Sequence, residues 1–128
     1  MTKVNFAKGK NSISNDLGVQ AMGSFAAGNE GLNPRELLEA ALGLCVSLTL
    51  RKQFERDGHL TDETEMAIEV TAIKHEGGDN RFDRFEIKVK MPVGLDADYK
   101  EKALLLAERG CTIGNTLKNV CTVESVEM

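Results

Sequence analysis

Histidine and cysteine are scarce in this 128-residue chain. Its two histidines, His59 and His75, lack the spacing of metal ligands, and its three cysteines include no CxxC pair, so no metal and no cofactor are expected. Cys45, Cys111 and Cys121 are odd in number and widely spaced, which argues against a secreted disulfide scaffold. Positive charge is also short. The net charge is −4 with no basic stripe, so nucleic acid is not an expected partner. The longest apolar run, Leu37 to Leu50, contains Glu39 and Ser47 and is too short to cross a bilayer, so no membrane is expected either. The opening residues, "MTKVNFAKGKNSIS", are too polar for a signal peptide, and a cytoplasmic location is expected. No internal repeat or low-complexity segment is present.

What remains is an ordinary globular composition, with 41% apolar and 28% charged residues, long enough for a single domain over 1–128. "KVNF" and "GVQAMGSF" read as short strands separated by the turn-rich "AKGKNSISNDLG". Asn33, Pro34 and Glu36 then fit the N-cap, first position and capping-box glutamate of a long helix that stops at Gly58. Two strands with period-two alternation follow. Met66, Ile68, Val70 and Ala72 share one face, as do Phe85, Ile87, Val89 and Met91, with "GGDNRFD" as the hairpin connection. "DADYKEKALLLAERG" reads as an amphipathic helix between Asp96 and Gly110, "TIGNTLKN" as a short helical turn, and "VCTVESVEM" as a final strand. The fold class is α+β.

The central helix is apolar on every side from Leu37 to Leu50, which predicts that it is enclosed all round, by a sheet and by a second subunit. Gly43 within it suggests close packing of another element. Cys45 sits in this run between Leu44 and Val46. Burial raises a thiol's pKa and makes it inert, so on its immediate neighbours Cys45 reads as a structural cysteine. Cys111 follows Gly110 at the start of a helical turn, with Arg109 nearby. A reactive thiol and a small residue filling the turn both remain open there. Cys121 reads as core or strand surface, and Met22, Met66 and Met91 as core or pocket lining.

The pair "NPRELLEAALGLC" and "AERGCTIGNTL" resembles the two-part signature of the OsmC/Ohr family, the osmotically inducible and organic hydroperoxide resistance proteins. In that family an Asn-Pro opens the central helix eleven residues before the peroxidatic cysteine, the spacing of Pro34 and Cys45. The second cysteine heads a C-P-x-S-x-x-L turn, whose first and last places Cys111 and Leu117 occupy. The resemblance runs along essentially the whole chain and implies an OsmC-like fold, with antiparallel sheets wrapped around long central helices in an intertwined homodimer. It also implies a metal-free thiol peroxidase of the peroxiredoxin kind, acting in oxidative-stress defence. Cys45 thiolate would reduce an organic hydroperoxide to an alcohol and become a sulfenic acid. Cys111 would close a disulfide with it, which a dithiol reductant of lipoyl or thioredoxin type would reopen.

The chain departs from the hydroperoxide-resistance branch at the activating pair. That branch uses an N-terminal arginine and a glutamate directly after the helix-starting proline. Here no arginine precedes Arg35, which itself follows Pro34, and Glu36 comes one place later. Arg35 and Glu36 are the available thiolate-activating candidates, against a plain role in the first helical turn. Loss of the cation predicts a raised Cys45 pKa and slower chemistry. The alternative function is an OsmC-fold redox-sensing or small-ligand-binding dimer with little peroxidase turnover. A purely structural protein is the third reading.

Overall fold

A computed structural model describes all residues, Met1–Met128. The fold is α+β with two antiparallel sheets and divides into two compact units, Met1–Ala40 and Ala41–Met128.

The first unit carries strands β1 (Thr2–Ala7), β2 (Lys10–Asn15) and β3 (Gln20–Gly23), in the order β1-β2-β3. Strand β2 lies inside the segment that reads as a turn-rich linker. "KNSISN" has one large apolar residue, Ile13, and its strand character comes from pairing on both sides, with Val4 and with Ala21 opposite Ile13. Lys8 and Gly9 close the β1–β2 hairpin, both at positive φ (52° and 76°), the geometry of a tight two-residue turn. Val4 and Phe6 remain 65% and 73% exposed. The capping box is formed at the end of this unit. The Glu36 amide donates to Asn33 Oδ1 at 2.8 Å, and the Asn33 amide to Glu36 Oε1 at 3.3 Å.

Helix α1 (Pro34–Arg56) starts at this cap and continues through the second unit. Gly58, at φ 76°, ends the run, with the His59 amide reaching back to the Phe54 carbonyl at 2.7 Å. Leu42, Val46, Leu50 and Phe54 recur every four residues and form one buried stripe. Full burial of Leu50 and Phe54 contributes about 1.5–3 kcal/mol each. The expected all-round enclosure is not achieved by one chain, since Leu44 and Leu48 are 62% and 44% exposed.

The stripe packs against Ala103 and Ala107 of α2 (Ala97–Gly110) and against Cys111. Asp96 caps α2, accepting from the Tyr99 amide at 2.8 Å. Strands β4 (Ala67–Lys74) and β5 (Phe82–Lys90) pair with Val70 opposite Ile87 and Ala72 opposite Phe85. Their shared face sends Ile68, Val70, Phe85 and Val89 onto the core, as the alternation predicts. Gly43 is where this hairpin comes closest to α1: a Cβ there would stand 3.2 Å from Val70 Cγ2. Helix α3 (Thr112–Leu117) follows Cys111 directly. The expected final strand is absent. Residues 120–128 pair with nothing in the chain, and Val120, Val123 and Val126 are almost wholly exposed. Cys121 is accordingly exposed, belonging to neither core nor strand.

Candidate active site

Two free cysteines, distant in sequence, meet in the second unit. Cys45 is held by α1, half-buried, with its own carbonyl accepting from Thr49 Oγ1 at 2.8 Å. Cys111 is delivered by the junction of α2 and α3, where it is the N-cap of α3 and 1% exposed. Its sulfur accepts from the Gly114 amide at 3.2 Å. The two thiols lie close enough to influence each other's ionisation.

Burial pushes the Cys45 thiol up, but four influences together outweigh it. These are hydrogen bonds from the Ile113 backbone, the Cys111 thiol and the Thr112 backbone, and the charge of Lys52, so Cys45 ionises below its ordinary value. Cys111 moves the other way. Burial raises it first, and its bond to Cys45 and the charge there add to the rise, against weaker help from the Gly114 and Ile113 amides. The expected rise at Cys45 is thus reversed. Neighbours in sequence supply its desolvation, whereas the groups that stabilise its charge come from residues 112–113 and from Lys52. Of these only Lys52, two turns along α1, carries a local sequence signal.

Arg35 and Glu36 occupy the first turn of α1. Arg35 Nε pairs with Glu39 Oε1 at 3.0 Å, and Glu36 completes the capping box. His59 stacks edge-on against Tyr99, ring centroids 4.6 Å apart, and His75 Nδ1 meets Asp83 Oδ2 at 2.7 Å. No cluster of three or more His, Cys, Asp or Glu side chains suited to a metal ion is present. A groove of about 790 Å³ opens beside Cys111. Its apolar wall includes Leu42, Val46, Phe85, Val89 and Leu104. No helix is long and apolar enough to cross a membrane.

The α+β chain thus brings together two free thiols, one whose ionisation is favoured and one, buried, whose ionisation is disfavoured. The family model described as OsmC-like protein matches residues 27–126, and the chain belongs to that family. Peroxiredoxin OsmC of Escherichia coli (strain K12) is 26% identical over 125 residues, covering 91% of this chain and 85% of the relative. Among solved structures, the OsmC-like protein of Mycoplasma pneumoniae superposes with a TM-score of 0.78 at 13% identity, covering 94% of this chain and 87% of that one. The organic hydroperoxide resistance protein OhrB of Bacillus subtilis does so with a TM-score of 0.57 at 24% identity, covering 90% and 88%. Family membership and the paired thiols together support a thiol-based redox role.

Proposed function

We propose that this single OsmC-like domain is a cysteine-based peroxidase that reduces organic hydroperoxides. The observation that carries the reading is the juxtaposition of Cys45, whose ionisation is favoured, with the buried thiol of Cys111. Cys45 thiolate attacks the terminal oxygen of the O–O bond, the alkoxide leaves and takes up a proton, and Cys45 becomes a sulfenic acid. Cys111, already beside it, attacks that sulfur, water departs, and the Cys45–Cys111 disulfide closes. A dithiol then returns both thiols, itself becoming a disulfide, so the two electrons that reduce the peroxide come from the dithiol. The names of the Escherichia coli and Bacillus subtilis relatives support the substrate class. So does the apolar wall of the groove at Cys111, where each methylene of an organic substrate buried against it gains about 0.8 kcal/mol.

The working unit is an intertwined homodimer. Leu44 and Leu48 on α1, Val4 and Phe6 on the first sheet, and the unpaired tail at 120–128 are apolar surface that a second copy would cover. A thiolate-activating role for Arg35 or Glu36 belongs to this proposal through the partner subunit. The test is consumption of cumene hydroperoxide in the presence of a dithiol. Turnover in the wild type and none in Cys45→Ser is the expected result, and equal consumption by the two proteins would end the reading. In the same assay, a partner-supplied Arg35 predicts that Arg35→Ala slows Cys45 oxidation by about tenfold, the effect of one pKa unit. An unchanged rate leaves Arg35 to the start of α1.

A further inference from the structure

We propose that Thr49 is the residue that positions Cys111 against Cys45: its hydroxyl is tied to the Cys45 carbonyl, its methyl group seats on Gly110, and this contact sets how readily the two cysteines join. The proposal deepens the peroxidase reading, on which the use of that disulfide rests.

Helix α1 and the α2–α3 junction approach each other on both sides of the cysteines. On α1, Leu42 lies three residues before Cys45 and Thr49 four residues after it. Along the junction, Gly110 directly precedes Cys111 and Gly114 lies three residues after it. A Cβ at Gly110 would stand 3.2 Å from Thr49 Cγ2, and one at Gly114 would stand 3.7 Å from Leu42 Cδ1. The two segments therefore pass in opposite directions, and both cysteines fall between the contacts. Cys45 accordingly packs against the core cluster that holds Cys111.

The Thr49 end is the tighter one. Thr49 Oγ1 donates to the Cys45 carbonyl at 2.8 Å, a bond back along the helix to the preceding turn. Threonine in a helix divides between two χ1 rotamers, and this bond selects one of them. With Oγ1 held, Cγ2 is held as well, and Cγ2 is the atom that Gly110 meets. A separation of 3.2 Å is short of ordinary carbon–carbon contact, about 3.5–4.0 Å, so a side chain at 110 pushes the junction away from α1. Glycine permits the close approach, although it is a poor residue for the last turn of α2. Disulfide closure is exacting in its geometry. A misplacement of about 1 Å costs a proximity-driven step on the order of 100-fold, and the smaller shift forced at 110 should cost about tenfold. Thr49 and Gly110 need touch no substrate, because they act through the placement of the cysteines.

The test moves one methyl group across the contact. Reduced protein is equilibrated with reduced and oxidised glutathione at fixed ratios, and the alkylated peptides are read by mass spectrometry. In this exchange the protein dithiol gives two electrons and two protons to one glutathione disulfide, which leaves as two glutathione thiols. No peroxide is present, so the result is independent of turnover. A protein that behaves as expected here and consumes no hydroperoxide would end the peroxidase reading alone. Gly110→Ala should lower the equilibrium constant for the Cys45–Cys111 disulfide about tenfold. Its reduced form should keep wild-type resistance to denaturant, since alanine suits a helix better than glycine. The double variant Gly110→Ala/Thr49→Ser keeps the hydroxyl, gives up the methyl group, and should recover most of the loss. An unmoved constant in folded Gly110→Ala, or a fall that Thr49→Ser leaves uncorrected, would overturn the proposal. Should Gly110→Ala fail to fold, Thr49→Ala decides. It loses both the hydroxyl and the methyl group and should lower the constant severalfold; a wild-type value there would overturn the proposal.

Discussion

Cys45 packs against the core cluster that holds Cys111, whose own sulfur accepts from the Gly114 amide at 3.2 Å. Their interaction contributes to both shifts, adding to the Ile113 backbone in lowering Cys45 and to burial in raising Cys111. It also keeps the two sulfurs neighbours, the proximity that the proposed disulfide would need. Cys121, exposed and in an unpaired tail, shares none of this.

The exposed apolar faces of α1 and of the first sheet lead to a prediction about assembly. Leu44, at 62% exposure, and Phe6, at 73%, stand on surfaces that one chain leaves uncovered. Light scattering at micromolar protein should report about 28 kDa, twice the chain mass of 14.0 kDa, with unfolding that shifts to higher denaturant as protein concentration rises. A well-folded species at the single-chain mass would contradict the homodimer.

A second prediction concerns the other end of α1. Tyr99 Oη donates to Asp57 Oδ2 at 2.7 Å, and the same oxygen accepts from Gln53 Nε2 at 2.7 Å. Burial first, and then Asp57, push Tyr99 up to about 12. The folded value lies above the unfolded one, so this contribution to stability is whole below pH 10 and is lost as pH rises through about 12. Asp57 shifts downward, by its bonds from Tyr99 and Gln53, so its share is present above the ordinary carboxylate range and is lost as pH falls through its lowered value. The chain has one tyrosine and no tryptophan, which makes tyrosinate absorbance a clean reporter. Its midpoint should lie near 12 in the wild type and move part of the way back in Asp57→Asn, because burial remains. A wild-type midpoint near 10 would contradict the Asp57–Tyr99 contact.

Local signals in the sequence carried the elements that local interactions make. The Asn33–Glu36 capping box, the Asp96 cap, the Gly58 stop and the alternation of β4 and β5 need only neighbours in the chain, and each is present. Strand β2 was illegible because its polar residues become a strand only between β1 and β3. The tail failed for the converse reason: Val120, Val123 and Val126 look like a strand, yet no edge within the chain receives them. The apolar run of α1 predicts enclosure on every side, but one chain buries only the stripe of Leu42, Val46, Leu50 and Phe54 and leaves Leu44 and Leu48 exposed. At the site, the cysteines were legible through their motifs, whereas the direction of the Cys45 shift was not. Leu44 and Val46 speak for desolvation, and the opposing amides lie at 112 and 113, where a backbone N–H leaves no mark in the sequence.

The account stands on Cys45 and Cys111 forming one redox couple within one chain. The direct measurement is mass spectrometry of alkylated peptides after one equivalent of cumene hydroperoxide is added to reduced protein. The predicted result is an intramolecular Cys45–Cys111 disulfide with Cys121 alkylated and unoxidised. Oxidation confined to Cys121, or a disulfide that includes it while Cys45 remains a free thiol, would contradict the account.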